Sequence, residues 1–328
     1  MLIQDDDEVQ RNERGASHRS WLAALADLLD RFLLLLVVIS AAAGVASPHL
    51  GRHVDAGGAI LDTLAILVFC TGASMTFSEM ARVRTAARRL VLVLAVTTVT
   101  LPALAWLASR LVTGPVLRGG VLAAGVAPTE VASVALTGLA GGEAALAAGL
   151  LVASTVLTVL LAGPILGVLG AGSSTSQLGL LSTLALVVAL PLVAGSAVRT
   201  IDPLNGREQP LVRVLGTVSL LVLLWEVASE LRLRASDTRV VLALLLYLAG
   251  GALLGWLLAI GAASGRRTAI VLPTAMRDFA VAAGIATSAF GAAAAAPLGI
   301  YGILVLVFGT AAVYAARRRG GNGKGAWL

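Results

Sequence analysis

Ala127-Pro128-Thr129-Glu130-Val131-Ala132-Ser133-Val134-Ala135 sets a proline, a threonine and a glutamate inside the apolar run 117–139, which is otherwise long enough to cross a bilayer. Proline has no N–H to give, so the carbonyl four residues earlier loses its helical partner. In hydrocarbon such a group persists only where protein or a water-filled cavity satisfies it. Glu130 adds to this, because a carboxylate at a lipid-facing helix centre costs at least about 2.5–3.5 kcal/mol. The segment therefore reads as a broken helix facing a cavity.

Moving 145 residues along the chain brings Leu272-Pro273-Thr274-Ala275-Met276-Arg277-Asp278-Phe279-Ala280 onto that segment, in the run 268–290. Each Pro-Thr then falls in the fourth helix of a five-helix half. Five is odd, so homologous halves must be inverted in the membrane. Matched, proline-broken polar segments in two inverted halves point to a transporter binding site. The expected site is Pro128, Thr129, Glu130, Ser133, Thr137, Pro273, Thr274, Arg277 and Asp278, with Arg277 partnered by Glu130 or Asp278. The residues alone leave a second reading open: two ordinary proline kinks and a structural ion pair.

The rest of the chain fits a membrane setting. It is 58% hydrophobic and only 13% charged, with a mean hydropathy of +0.93, which a water-soluble globule of 328 residues has too little polar surface to cover. Apolar runs predict spans at 32–47, 58–77, 88–111, 117–139, 144–170, 178–198, 212–231, 239–263, 268–290 and 296–316. Stretches such as Leu33 to Val45 show no alternation, which argues against a β-barrel. The predicted fold is thus an all-α polytopic membrane protein with ten transmembrane helices, in two inverted five-helix repeats with interrupted, crossing fourth and ninth helices. The segment 1–31 is expected to be a disordered cytoplasmic N-terminus, 32–170 the first repeat, 178–316 the second, and 317–328 a cytoplasmic tail. The N-terminal region is long and acidic for a secretory signal, so the first apolar run reads as a retained helix.

Seventeen of the 24 Lys and Arg residues fall on one side of this topology, six on the other, and Arg277 within a helix. The majority side is expected to be cytoplasmic, with both termini there, in the cell inner membrane or plasma membrane. The net charge of +6 comes from these flanking loops, so nucleic acid is not an expected partner. Membrane lipid is, around a monomer or homodimer. Cys70, the single cysteine, lies in an apolar run, and His18, His49 and His53 lack zinc spacing, so no cofactor or metal is indicated by these residues. Glu226 reads equally as cavity-facing or as an interfacial helix end. Asp62, Thr71, Ser74, Thr76 and Glu79 mark the second helix and its exit, where hydroxyls more often bond to their own helix. The spacings Gly138–Gly142, Gly163–Gly167 and Gly251–Gly255 read as helix-packing surfaces. The chain contains no His-Glu-x-x-His, Gly-x-Ser-x-Gly or nucleotide-binding loop, which argues against an enzyme or an ATP-driven pump.

The run from Ala127 through Leu146, with Ser154-Thr155 and Pro164, resembles the fourth and fifth helices of the bile acid:sodium symporter family. Gly265-Arg266-Arg267-Thr268-Ala269 leading into Met276-Arg277-Asp278-Phe279-Ala280-Val281-Ala282 is similar to its ninth helix and, through Arg-Asp-Phe, to the arsenite efflux carriers. The resemblance implies a core domain around the crossed helices and a panel of the first, second, sixth and seventh helices, with substrate between them. It implies a secondary active transporter of a small organic anion, held by Arg277 and by half-helix N-termini. It also implies a sodium ion near Ser133 and Thr137. Val134, Pro273 and Arg277 depart from that family's ion-site oxygens, and Thr129 stands where arsenite carriers have a cysteine. The alternatives are a proton-coupled or uncoupled carrier, including arsenite-type efflux, and an intramembrane ligand sensor.

Overall fold

The computed structural model describes residues 21–47, 59–74, 87–170, 176–201, 208–230 and 237–321. Among these the regular elements are all helices, and the single β-type pairing is an isolated bridge between Thr129 and Arg277. The helices are α1 (Leu33–Ala46), α2 (Ala59–Ala73), α3 (Ala87–Ser109), α4 (Pro115–Val126), α5 (Ala132–Leu139), α6 (Ala144–Val168), α7 (Gln177–Leu184), α8 (Leu190–Ile201), α9 (Gln209–Ser229), α10 (Asp237–Leu258), α11 (Ser264–Ala275), α12 (Phe279–Phe290) and α13 (Ala296–Gly321). Six helices among the described residues are long and apolar enough to cross a membrane: α3, α6, the joined α7–α8, α9, α10 and the 292–316 stretch containing α13. Four shorter apolar helices accompany them, among them α4 and α12, the halves of interrupted runs. This is a multi-pass membrane protein.

The distribution of side chains is inverted relative to a soluble globule. Val99, Leu107, Leu186 and Leu245 are exposed, whereas Thr129, Ser133, Thr137, Arg277 and Asp278 are buried. With lipid as solvent, apolar side chains lose nothing by facing outward, and polar ones must find partners inside.

The helices pack in two groups. α1 lies against α9, and α2 lies against both α8 and α9; α3, α4, α6, α10, α11 and α12 pack on one another around the two breaks. α13 touches both groups. Close contact in the first group depends on missing side chains. A Cβ on Gly72 would run into the Leu192 carbonyl, and one on Gly195 into that of Phe69. Between α7 and α8 the helix widens to a π-turn at Ala185–Ala189, with the Leu190 N–H returning to the Ala185 carbonyl. Pro191, one residue on, has no N–H to continue the regular ladder.

Three expectations change here. Residues 21–31 are helical, not part of a disordered segment 1–31. Good helix formers, Leu22 to Leu29, bury Ala26, and one face presents Asp27 and Asp30 to Arg213. The last helix continues past 316 to Gly321, with the Arg318 guanidinium stacked 4.3 Å from the Tyr314 ring centroid. The two helix breaks are not related by the 145-residue offset: they fall at 127–131 and 276–278, so Pro273 sits inside α11, three residues before its break. The outer ends of the helices, such as Leu33 and Leu139, lie within about five residues of the predicted boundaries; Thr76, Glu79 and the three histidines lie outside the described residues.

Candidate functional site

The two breaks meet. The Glu130 N–H donates to the Met276 carbonyl at 2.9 Å, and the Asp278 N–H donates to the Pro128 carbonyl at 2.8 Å. These two bonds make the bridge between Thr129 and Arg277, and they hold the carboxyl ends of α4 and α11 beside the amino ends of α5 and α12.

The carbonyls released by the breaks are met by protein donors. Pro128 cannot bond to Ala124, and the Tyr247 hydroxyl does so instead at 3.1 Å. Thr158 donates to the Val126 carbonyl at 2.9 Å, and Thr129 Oγ1 to that of Pro273 at 3.1 Å. Arg277 Nη2 donates to the Ala127 carbonyl, and the Tyr301 hydroxyl reaches the Ala275 carbonyl at 3.5 Å. The Thr129 N–H in turn donates to Ser154 Oγ at 3.0 Å. An unmet carbonyl in such a setting costs about 1–3 kcal/mol. This donor set is therefore what makes two broken helices tolerable at membrane depth.

Arg277 forms no ion pair with Glu130 or Asp278, which corrects the expected pairing. Its head group bonds to Ala127 and borders a small cavity of about 20 Å³ together with Thr97, Ser154 and Thr158. The bridge geometry explains the separation: neighbouring residues of an extended segment point to opposite faces, so Arg277 and Asp278 diverge.

On the other face lies a cavity of about 380 Å³ between the crossing and α1, α2, α8 and α9. Pro128, Glu130 and Asp278 form its deep end. Asp278 caps α12, its Oδ1 accepting from the Ala280 and Val281 N–H groups at 2.9 Å each. The Glu130 carboxylate faces the backbone N–H groups of Ala132 and Phe279, at the first turns of α5 and α12, and its Oε2 has no hydrogen-bond partner. The cavity runs to Asp30 and Arg213 at the surface, where Arg213 is paired with Asp27 at 3.0 Å and with Asp30.

The opposite end is closed. Gly299 of α13 lies where a Cβ would sit 3.3 Å from Ala228 Cα of α9, and a Cβ on Gly284 of α12 would strike Leu64 of α2. Thr63 donates to Glu226 at 3.3 Å, and Trp225 to Ser47 at 3.0 Å. Glu226 is buried at this closed end and does not line the cavity.

The remaining sequence candidates divide by environment. Ser133, Thr137 and Thr274 are buried with hydroxyl oxygens that have no partner. Thr71 and Ser74 bond to their own helix, as expected of such hydroxyls, and also line the cavity. Cys70 is a free thiol on the same lining. Of the glycine spacings, Gly251 and Gly255 let α10 approach the backbone of α11. Sequence reasoning missed Tyr247, Tyr301 and Arg213. Tyrosines inside apolar spans are signals in themselves, because a buried phenol needs an acceptor.

Residues 62–238, more than half of the chain, match the family model described as Sodium Bile acid symporter family. No curated protein matches the chain.

Proposed function

The chain belongs to the sodium bile acid symporter family, and on that premise we propose that it is a secondary active transporter working by alternating access, with ten spans in two inverted five-helix halves. Members of this family are membrane transporters and not enzymes. The observation that carries the proposal is the cavity between the crossing and the α1, α2, α8, α9 group, open toward Arg213 and closed at Gly284 and Gly299. Rocking one group against the other about that cavity exchanges the open and closed ends. The excess of arginine on the Arg213 side supports a cytoplasmic location for that end and for both termini, in an inner or plasma membrane. The exposed apolar exterior suits a lipid-embedded monomer or homodimer.

The resemblance brings an organic anion as cargo and sodium as coupling ion. Ser133, Thr137 and Thr274 offer three partnerless hydroxyl oxygens for such an ion. All three are neutral, and Glu130 is the carboxylate nearest in sequence to Ser133. Proton coupling is the second reading, favoured by one observation: Glu130 and Asp278 both border the cavity. Arsenite-type efflux has no thiolate at Thr129, whose hydroxyl is already bonded to the Pro273 carbonyl.

Proteoliposome uptake tests this, using cholate and benzylammonium as cargoes of opposite charge. Accumulation of either driven by a sodium or a proton gradient is the expected result. Flux of both that ignores both gradients rejects the coupled carrier, and binding without flux makes the protein a sensor.

A further inference from the structure

The charged groups on the cavity lining determine what kind of guest it accepts. Its deep end is acidic: Glu130 and Asp278 are each only 6% exposed, and both face the cavity. The half-helix N-termini that would otherwise seat an anion already carry protein carboxylates, Asp278 on α12 and Glu130 beside α5 and α12. Arg277, the cation expected to hold an anionic cargo, does not line this cavity. It lies on the far face of the crossing, where its head group bonds to the Ala127 carbonyl. At the mouth, Arg213 is already engaged by Asp27 and Asp30.

Glu130 is thus a buried carboxylate without a counter-charge, and its Oε2 lacks a donor. Most of the surrounding wall is apolar, including Leu67, Val68, Leu192, Leu220 and Val281. An anion entering here would lose its hydration, find only weak neutral donors such as the Thr217 hydroxyl and the Cys70 thiol, and meet two carboxyl groups in a medium of low dielectric. We propose that the guest of this cavity is a cationic amphiphile, a protonated amine on a small apolar body, whose ammonium lies against the Glu130 and Asp278 side chains. The volume of about 380 Å³ suits one ring with a short arm. The proposal rests on reading this cavity as the cargo site, but it concerns binding alone.

The test uses the purified full-length chain and three probes sharing a phenyl ring: benzylammonium, phenylacetate and benzyl alcohol, titrated by calorimetry. Benzylammonium is expected to bind about tenfold or more tighter than the other two, and Glu130→Gln to remove that preference, bringing benzylammonium to the level of benzyl alcohol in the same variant. Tighter binding of phenylacetate, equal or absent binding of all three, or a preference that survives Glu130→Gln overturns the proposal. So does a response to sodium chloride over potassium chloride with no binding of benzylammonium, which would assign the carboxylates to a coupling ion. The wild-type comparison alone decides the charge class if the variant does not fold. A protein that binds the amine without moving it counts against the carrier and not against this inference.

Discussion

On one face of the crossing, Arg277, Tyr247, Tyr301, Thr158 and Thr129 each give a donor to a carbonyl at a helix break. On the other, Glu130 and Asp278 border a cavity, and one carboxylate oxygen has no donor. The same pair of backbone bonds creates both faces, and each keeps a buried polar atom without a partner, Arg277 Nε on the first and Glu130 Oε2 on the second. A polar group left unmet in a dry site is costly. The faces differ in the room they leave for a partner from outside the chain: about 380 Å³ on the Glu130 side and about 20 Å³ on the Arg277 side.

The contrast breaks most severely at Arg277. Arg277→Met removes the donor from the Ala127 carbonyl and should cost about 3 kcal/mol of stability in denaturant unfolding of the purified protein; an unchanged midpoint would mean that this face does not depend on it. Tyr247→Phe leaves the Ala124 carbonyl without its donor and should cost about 1–2 kcal/mol by the same measurement. Thr129→Val, close in shape, should cost about 1 kcal/mol, read as a smaller shift. Glu130→Gln should change stability by no more than about 0.5 kcal/mol, because its Oε2 makes no bond to lose. A large loss there would show that the carboxylate is part of the scaffold and remove the difference between the faces.

Most of the helical architecture was legible in the sequence, because apolar runs of bilayer length and their Pro and Gly punctuation are set by the lipid. The break at Pro128 was legible too, since proline cannot donate. The second break was not, and Pro273 drew attention three residues too early: a proline can end a helix or sit within its last turn, and the bridge that stops α11 at Met276 is a long-range pairing. The site residues were found through their cost at membrane depth, which applies equally to Arg277 and Asp278. Which face each one takes depends on the extended backbone at 276–278, and no spacing rule for a helix reports that. Arg213 was counted only as a flanking charge, because its partners Asp27 and Asp30 lie on a helix expected to be disordered.

Cys70 offers the most direct test of the central claim, because it is the only cysteine in the chain and lines the cavity. A membrane-impermeant maleimide applied to sealed vesicles of known orientation reads which end is open. Labelling of the wild type is expected from the Arg213 side, and from the opposite side once Gly299→Phe holds the closed end apart. Labelling of the wild type from the opposite side, or a sidedness that Gly299→Phe leaves unchanged, would contradict a cavity that opens to one side at a time.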